Sequence, residues 1–563
     1  MTADQRTPPP SPAPAGRFFR RRWVLSIGTV LFLAIVFLAA EVVLRIFYPQ
    51  PDLPVWSPES LEIIQDNQRA FFEKTFRDGL WRLVQVPRKN AYTPPQEFLF
   101  DKPAGSARIL VVGESSSVSL GRSLRQLLEL AGLPDIAEVM NCGSPAGTLE
   151  DVGRRLDESL RYSPDVVVLL FGHNVFYRAP SLNSLSFRIG AFAGGSRIVR
   201  WILHAKMEQA INDPERWGEF EDFLRRSVRR ARRRNVAIVL CTVPSNLWYP
   251  PGVAGWELYD ARFMEAGYLH LSGKRREAIA LLEDLVARRS TALWHFQLAD
   301  WQHEEGNDRR ALDHLTEALN LDPEIFRATD RTNAIIRRVA IESGVGLLDI
   351  EARLKKAVPD GIPGWLDFED NQHLVGSGTR WAASSLTGLF VQQGRFPADT
   401  RRIWEAYSER YARDEIFPLE RYLRGAAFWA QRMENANARA IPYKVAAAYR
   451  ENPREVLRVS RALLGRDWWA AEVLPRWRAI LLLQVSEGLW RAGERDLSFR
   501  LAARAAEWDD AWEEPLLQMG KCHLRLGNRD EARRCFERAR RRNHERVEVA
   551  FFLRRLRSEA NGS

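Results

Sequence analysis

Cysteine is scarce in this chain: Cys142, Cys241, Cys522 and Cys535 are the only four among 563 residues. None stands at a spacing that would hold a metal, so a thiolate-bound ion is not expected. Cys142 and Cys241 fall in or at the end of apolar runs that read as core strands. Cys522 and Cys535 could pair in an oxidising compartment, but burial as free thiols is the expectation for all four. A nucleic-acid motif is also lacking, although 82 Lys and Arg against 72 Asp and Glu leave a net charge of +10. The densest basic run, 225-RRSVRRARRRN-235, fits a solvated helix end whose cations favour the C-terminal dipole. Nucleic acid is therefore not an expected partner.

Charge is missing altogether from residues 23–40, WVLSIGTVLFLAIVFLAA. With the apolar residues beyond Glu41, that run is just long enough to cross a bilayer. Arg17, Arg20, Arg21 and Arg22 precede it and argue that the amino side stays in the cytoplasm. Ala39-Ala40 would suit signal-peptide cleavage, but the run exceeds a usual signal h-region, so a retained anchor over 23–47 is preferred. This leaves a disordered tail at 1–22 and a linker and cap segment at 48–103, and it places the remainder outside the cytoplasmic membrane, as in a periplasmic space.

The length exceeds one core, and 45% hydrophobic with 27% charged residues is a globular composition. Five apolar strand candidates occupy 109–112, 137–141, 165–171, 236–240 and 344–350, with helical periodicity between them. That alternation predicts a parallel sheet covered by helices on both faces. The rhythm changes at 257–323, where 273-GKRREAIALLEDL-285 and 306-GNDRRALDHLTEAL-319 align Gly273 with Gly306 and Ala278 with Ala311. Gly493 and Gly527, and Ala505 and Ala539, repeat at a similar period in 396–563. Small and aromatic residues at Gly520, Ala532, Phe536 and Ala539 complete a pattern that resembles tetratricopeptide repeats. Residues 397–490 look helical and Trp-rich but match the repeat poorly. Such helix pairs either offer a concave protein-binding surface or shore up a neighbouring domain.

Serine is crowded at one corner. In 108-RILVVGESSSVSLGRSL-124 an apolar run meets Gly113-Glu114, then Ser115, Ser116 and Ser117, with helical spacing from Leu120. A serine there serves either as a helix cap or as a nucleophile facing the ligand side of an α/β sheet. Three other strand ends carry 141-NCGSPAGT-148, 172-GHN-174 and, just before a helix starting near Gly376, 370-DNQH-373. A serine hydroxyl is a poor nucleophile until a neutral imidazole takes its proton, and that imidazole needs a carboxylate to fix its tautomer. Backbone N–H groups and an amide then stabilise the tetrahedral oxyanion.

These four blocks, in this order, resemble the SGNH (GDSL-like) hydrolase superfamily over residues 104–256 and 324–395. The resemblance implies a flavodoxin-like three-layer sandwich with a parallel five-stranded sheet, interrupted and followed by all-α repeats. It implies Ser115 as nucleophile and first oxyanion donor, Ala146 or Gly147 as the second donor and Asn174 as the third. His373 becomes the general base and Asp370 its orienting acid, with no cofactor and no metal. Glu114 stands where Asp is usual and Ala146 where Gly is common. His173 either touches substrate or is structural, while Ser116 and Ser117 suit capping. Asp300 and His303 share the Asp-x-x-His spacing but lie within a repeat helix, where His303 is expected to be partly exposed. The implied activity is hydrolysis of an ester, in an acyl lipid or an acylated glycan, through an acyl-enzyme. An O-acyltransferase acting on envelope polysaccharide or lipid would use the same triad, and a repeat-based scaffold with a vestigial hydrolase domain is the non-enzymatic alternative.

Overall fold

The structure is a computed structural model that describes residues 29, 32–42, 66–87, 95–176, 198, 213–397, 419–423 and 436–561, apart from 68, 132, 134–135, 254–255, 324–325, 421, 466–467 and 470–472. Most of the expected 23–47 anchor and all of the 1–22 tail lie outside these residues. Among the described residues no helix is long and apolar enough to cross a membrane.

The segment expected to be a linker contains a three-stranded antiparallel sheet: β1 (Phe72–Arg77), β2 (Leu80–Gln85) and β3 (Glu97–Leu99). Its hairpin turns on Asp78-Gly79, both with positive φ (53° and 76°), which suits a two-residue turn. Phe71, Phe72 and Leu83 are buried in the same core as the main sheet. The Gln96 side chain bonds both Asn141 O, at 3.0 Å, and Asn141 N–H, at 2.9 Å. One amide thereby occupies backbone groups on an edge strand that would otherwise be open to pairing.

The main sheet is wholly parallel. Strands β4 (Ala107–Gly113), β5 (Ala137–Gly143), β6 (Val166–Leu170), β7 (Ala237–Cys241) and β8 (Gly346–Leu348) lie in the order β5-β4-β6-β7-β8. Their β-branched and aliphatic residues are buried on both faces, as a parallel sheet requires. The helix after β4, α1 (Ser115–Leu130), covers one face together with a helix at Gly376–Gln392. The helices Leu149–Ser159, Pro214–Arg233 and Asp330–Ser343 cover the other. The strand order changes direction beside β4, so the crevice beyond Gly113 is where such a sheet binds ligands.

Four helices leave the domain after β7 and return before β8: Ala261–Leu271, Arg275–Arg288, Ala292–Glu304 and Asp308–Asn320. A buried Arg327–Asp322 ion pair at 2.6 Å closes the neck of this insertion, and the same guanidinium donates to the carbonyls of Asn246 and Tyr249. The paired helices Pro475–Arg491 with Arg495–Trp508 and Glu514–Arg525 with Arg529–Arg542, followed by Val547–Asn561, form the C-terminal repeats. Gly273, Gly306, Gly493 and Gly527 occupy equivalent left-handed turns, with φ between 77° and 87°.

The two repeat regions are joined in space. Met264, Tyr268 and Leu271 of the insertion share a core with Leu516, Leu517, Phe536 and Phe552 of the C-terminal repeats. Asp300 accepts two bonds from Arg491, each 2.8 Å. Between insertion, C-terminal helices and the 358–367 loop lies a large open cleft. All four cysteines are buried free thiols.

Candidate active site

The serine corner is tighter than its sequence suggests. A Cβ on Gly113 would lie 1.8 Å from the Leu170 carbonyl oxygen, so only glycine lets β4 turn against β6 at this point. Helix α1 opens at Ser115, five residues before the apolar periodicity begins, and its N-cap is Glu114. Ser116 and Ser117 therefore do not cap: both lie inside the first turn. The Ser117 hydroxyl donates to the Glu114 carbonyl at 2.6 Å, and the Ser116 hydroxyl is buried without a partner among the described residues. Ser115 takes the first helical position, where its own N–H is one of the groups a helix leaves without an intrahelical acceptor.

Ser115, His373 and Asp370 meet across 258 residues of chain. Ser115 Oγ lies 2.7 Å from His373 Nε2, and His373 Nδ1 lies 2.7 Å from Asp370 Oδ2. In the neutral imidazole Nδ1–H donates to the carboxylate, so Nε2 accepts the serine proton. The other Asp370 oxygen accepts the N–H groups of Gln372 and His373, at 2.9 and 2.7 Å. Burial favours the neutral carboxyl, but the His373 charge and these bonds outweigh it and hold Asp370 at about 2. Burial opposes the His373 cation as well, and the Asp370 charge and hydrogen bond overcome it, so the imidazole titrates above its ordinary value.

The end of β6 is organised by Glu114. This fully buried carboxylate accepts the N–H groups of Gly172, His173 and Asn174 at 3.1, 2.8 and 2.9 Å. Burial raises it to about 7 against the pull of those three donors. Asn174 Nδ2 donates to Gly147 O at 3.1 Å, which leaves the second amide hydrogen of that group for an oxyanion. Of the two second-block candidates, Gly147 has its N–H bonded to Ser144 O at 2.8 Å. That bond sets Gly147 N–H against the expectation that it donates to an oxyanion and leaves Ala146, held at φ 50°, as the second-block candidate.

His173 is buried, and its Nδ1 accepts the Ala328 N–H at 3.0 Å. Burial depresses it to about 3, so the ring is neutral with its proton on Nε2. That atom, with Ser116 Oγ and Gln372 Oε1, has no partner among the described residues, and all three residues line a small pocket beside His373. The spacing decoy is dispersed: His303 bonds Asp308 at 2.7 Å, and Asp300 is paired with Arg491. Sequence reasoning missed Asn246, whose Nδ2 donates to Asp370 O at 2.9 Å and whose N–H donates to Asn371 O at 3.1 Å. It also missed Lys444, whose ammonium donates to Glu369 O. No group of His, Cys, Asp or Glu able to hold a metal occurs among the described residues.

Fold and site together define a doubly wound α/β domain bearing a Ser-His-Asp relay, built into helical repeats. Residues 516–543 match the tetratricopeptide repeat family. Among solved structures the chain is similar to an acetyl xylan esterase, at 15% identity over 50% of this chain and 98% of that one, with a TM-score of 0.26. It is similar to an acylhydrolase, named as putative, from Bacteroides fragilis at 10% identity, covering 52% and 88%, with a TM-score of 0.26. Yeast Tom70 matches at 11% identity, covering 73% and 86%, with a TM-score of 0.18. None of the curated proteins matches the chain. Scores this low leave the assignment of chemistry to the geometry of the site.

Proposed function

We propose that this protein is a serine esterase of the SGNH type, which cleaves an ester through an acyl-enzyme on Ser115. The observation that carries the reading is the unbroken relay from Ser115 Oγ to His373 to Asp370, with both links at 2.7 Å. His373 takes the hydroxyl proton as the oxygen attacks the ester carbonyl, and then gives it to the departing alcohol. The carbonyl oxygen becomes an oxyanion within reach of the Ser115 and Ala146 N–H groups and the Asn174 amide. Water, deprotonated by His373, then releases the acid. Each oxyanion donor of this kind contributes about 3 kcal/mol to the barrier reduction.

The intact relay argues against a vestigial domain, whose hydroxyl would have no base. Residues 23–47 serve as the membrane anchor in this reading, with the catalytic domain outside. Its support is the uncharged run behind four arginines, and the described helical residues Phe32, Ile35 and Leu38 are more than 60% exposed in the chain alone. The repeats are available to a protein partner, the usual use of such helix pairs. Turnover of short acyl esters by the full-length chain tests the enzyme reading. It should be abolished by Ser115→Ala and His373→Ala, together with labelling by a serine-directed fluorophosphonate, and undiminished turnover in either variant sinks it.

A further inference from the structure

Helix α2 (Ala436–Glu451) precedes the C-terminal repeat pairs. It buries a lysine to 1% exposure. The Lys444 ammonium donates to the Glu369 carbonyl at 2.6 Å, and lies 3.9 Å from the ring centroid of Tyr422 and 5.3 Å from that of Trp365. An ammonium in such surroundings is costly to desolvate unless it is paired and hydrogen-bonded. Among the described residues, the carboxylates of Glu369 and Asp370, the Tyr422 ring and the Trp365 indole face it. Burial pushes it down to about 7 in spite of the two carboxylates.

The place of that contact matters more than its strength. Glu369 precedes Asp370, and its N–H donates to the His373 carbonyl at 2.8 Å. One residue therefore closes the turn that carries both acid and base, and its carbonyl is gripped by a side chain from outside the hydrolase domain. Asn246 grips the same turn from the end of β7, through the Asp370 and Asn371 carbonyls. A methionine or leucine at 444 would fill similar volume without the desolvation cost, so the retained ammonium is explained by what it holds.

We propose that Lys444 is a positioning residue for the Ser115–His373–Asp370 relay, through which the C-terminal helical region sets the turn that presents base and acid to the nucleophile. The helical region is then part of the catalytic apparatus and more than a docking platform. This rests on the esterase reading above.

The test uses full-length Lys444→Met beside the wild type. A turn displaced by about 1 Å can cost roughly 100-fold in rate, so kcat on a short acyl ester should fall about 10- to 100-fold with KM little changed. Loss of a cation beside Asp370 should also move the acid limb of the pH profile to higher pH, which a merely structural lysine would not do. Unchanged kcat and an unmoved limb overturn the proposal. Should the methionine chain fail to fold, Lys444→Gln keeps a neutral donor and is judged by the same limb. If the wild type neither turns over esters nor takes up fluorophosphonate, the esterase reading has failed by itself. The proposal is then judged on the His373 ring titration followed by NMR, where an identical midpoint in wild type and variant overturns it.

Discussion

The Glu114 carboxylate accepts the backbone N–H of Asn174 at 2.9 Å, so the residue before the proposed nucleophile holds the residue whose amide is the proposed oxyanion donor. One side chain thereby sets the spacing between the ends of β4 and β6. Glu114→Gln should break this arrangement, because its one carbonyl oxygen can keep the Gly172 and His173 N–H groups, but the new amide NH₂ then meets the Asn174 N–H donor to donor. An unsatisfied buried donor costs about 1–3 kcal/mol. Chemical denaturation should show a loss in that range, and kcat should fall with it. Glu114→Asp is expected to be impaired too, since its shorter stem falls short of the same three donors.

The relay makes a pH prediction whose sign follows from the two shifts. His373 titrates above 6.5 and works as a base only when neutral. The acid limb of kcat/KM should therefore have its midpoint above 6.5, and Asp370→Asn should lower that midpoint. In stability terms, the raised His373 value contributes below its unfolded value and is lost as pH rises through the folded one. The Asp370 value, depressed from 3.8 to about 2, contributes above 3.8 and is lost as pH falls towards 2. The pair should stabilise the fold most between about pH 4 and 6.5, which urea melts across that range will check.

Ala146 sits at φ 50° in the loop proposed to supply the second oxyanion donor. A left-handed non-glycine residue costs roughly 1 kcal/mol, and glycine offers the same backbone N–H. Ala146→Gly should raise stability by up to about 1 kcal/mol and leave kcat within a few-fold. A large fall in kcat would show that the alanine methyl, and not only its N–H, shapes the site.

Gly520 lets two helices of the last repeat pair touch: a Cβ there would stand 2.3 Å from the buried Phe536 ring. Alanine gains about 1 kcal/mol of helix propensity, but overpacking costs about 1–3 kcal/mol, so Gly520→Ala should destabilise by up to about 2 kcal/mol in a thermal melt. Phe536→Leu in the same chain should relieve part of that loss, because it removes the ring atoms in the way.

Much of the architecture was legible in local pattern. The five apolar runs became five parallel strands because a strand buried on both faces must be apolar throughout, and the period of 33–34 located turns that only a left-handed residue can make. The hairpin over 72–85 was also legible, since Asp78-Gly79 is a strong two-residue turn signal, but it lay inside a stretch read as a linker. Ser116 and Ser117 were misplaced because helical periodicity becomes visible only where apolar residues begin, at Leu120, while the helix itself starts at Ser115.

What the sequence by itself determined were the short-range devices: which residues stand at strand ends, that a serine, an amide, a carboxylate and a histidine occupy those corners, and where the repeats turn. Each depends on a few neighbours in the chain, so local composition suffices to reveal it. Tertiary structure alone decided which groups hold them. Glu114 reaches across to the end of β6, Gly147 is spent on Ser144, Asn246 and Lys444 clasp the catalytic turn, and the two repeat regions meet around one core. Those relations join residues dozens to hundreds of positions apart, and no periodicity or spacing encodes a distance that exists only after the chain has closed on itself.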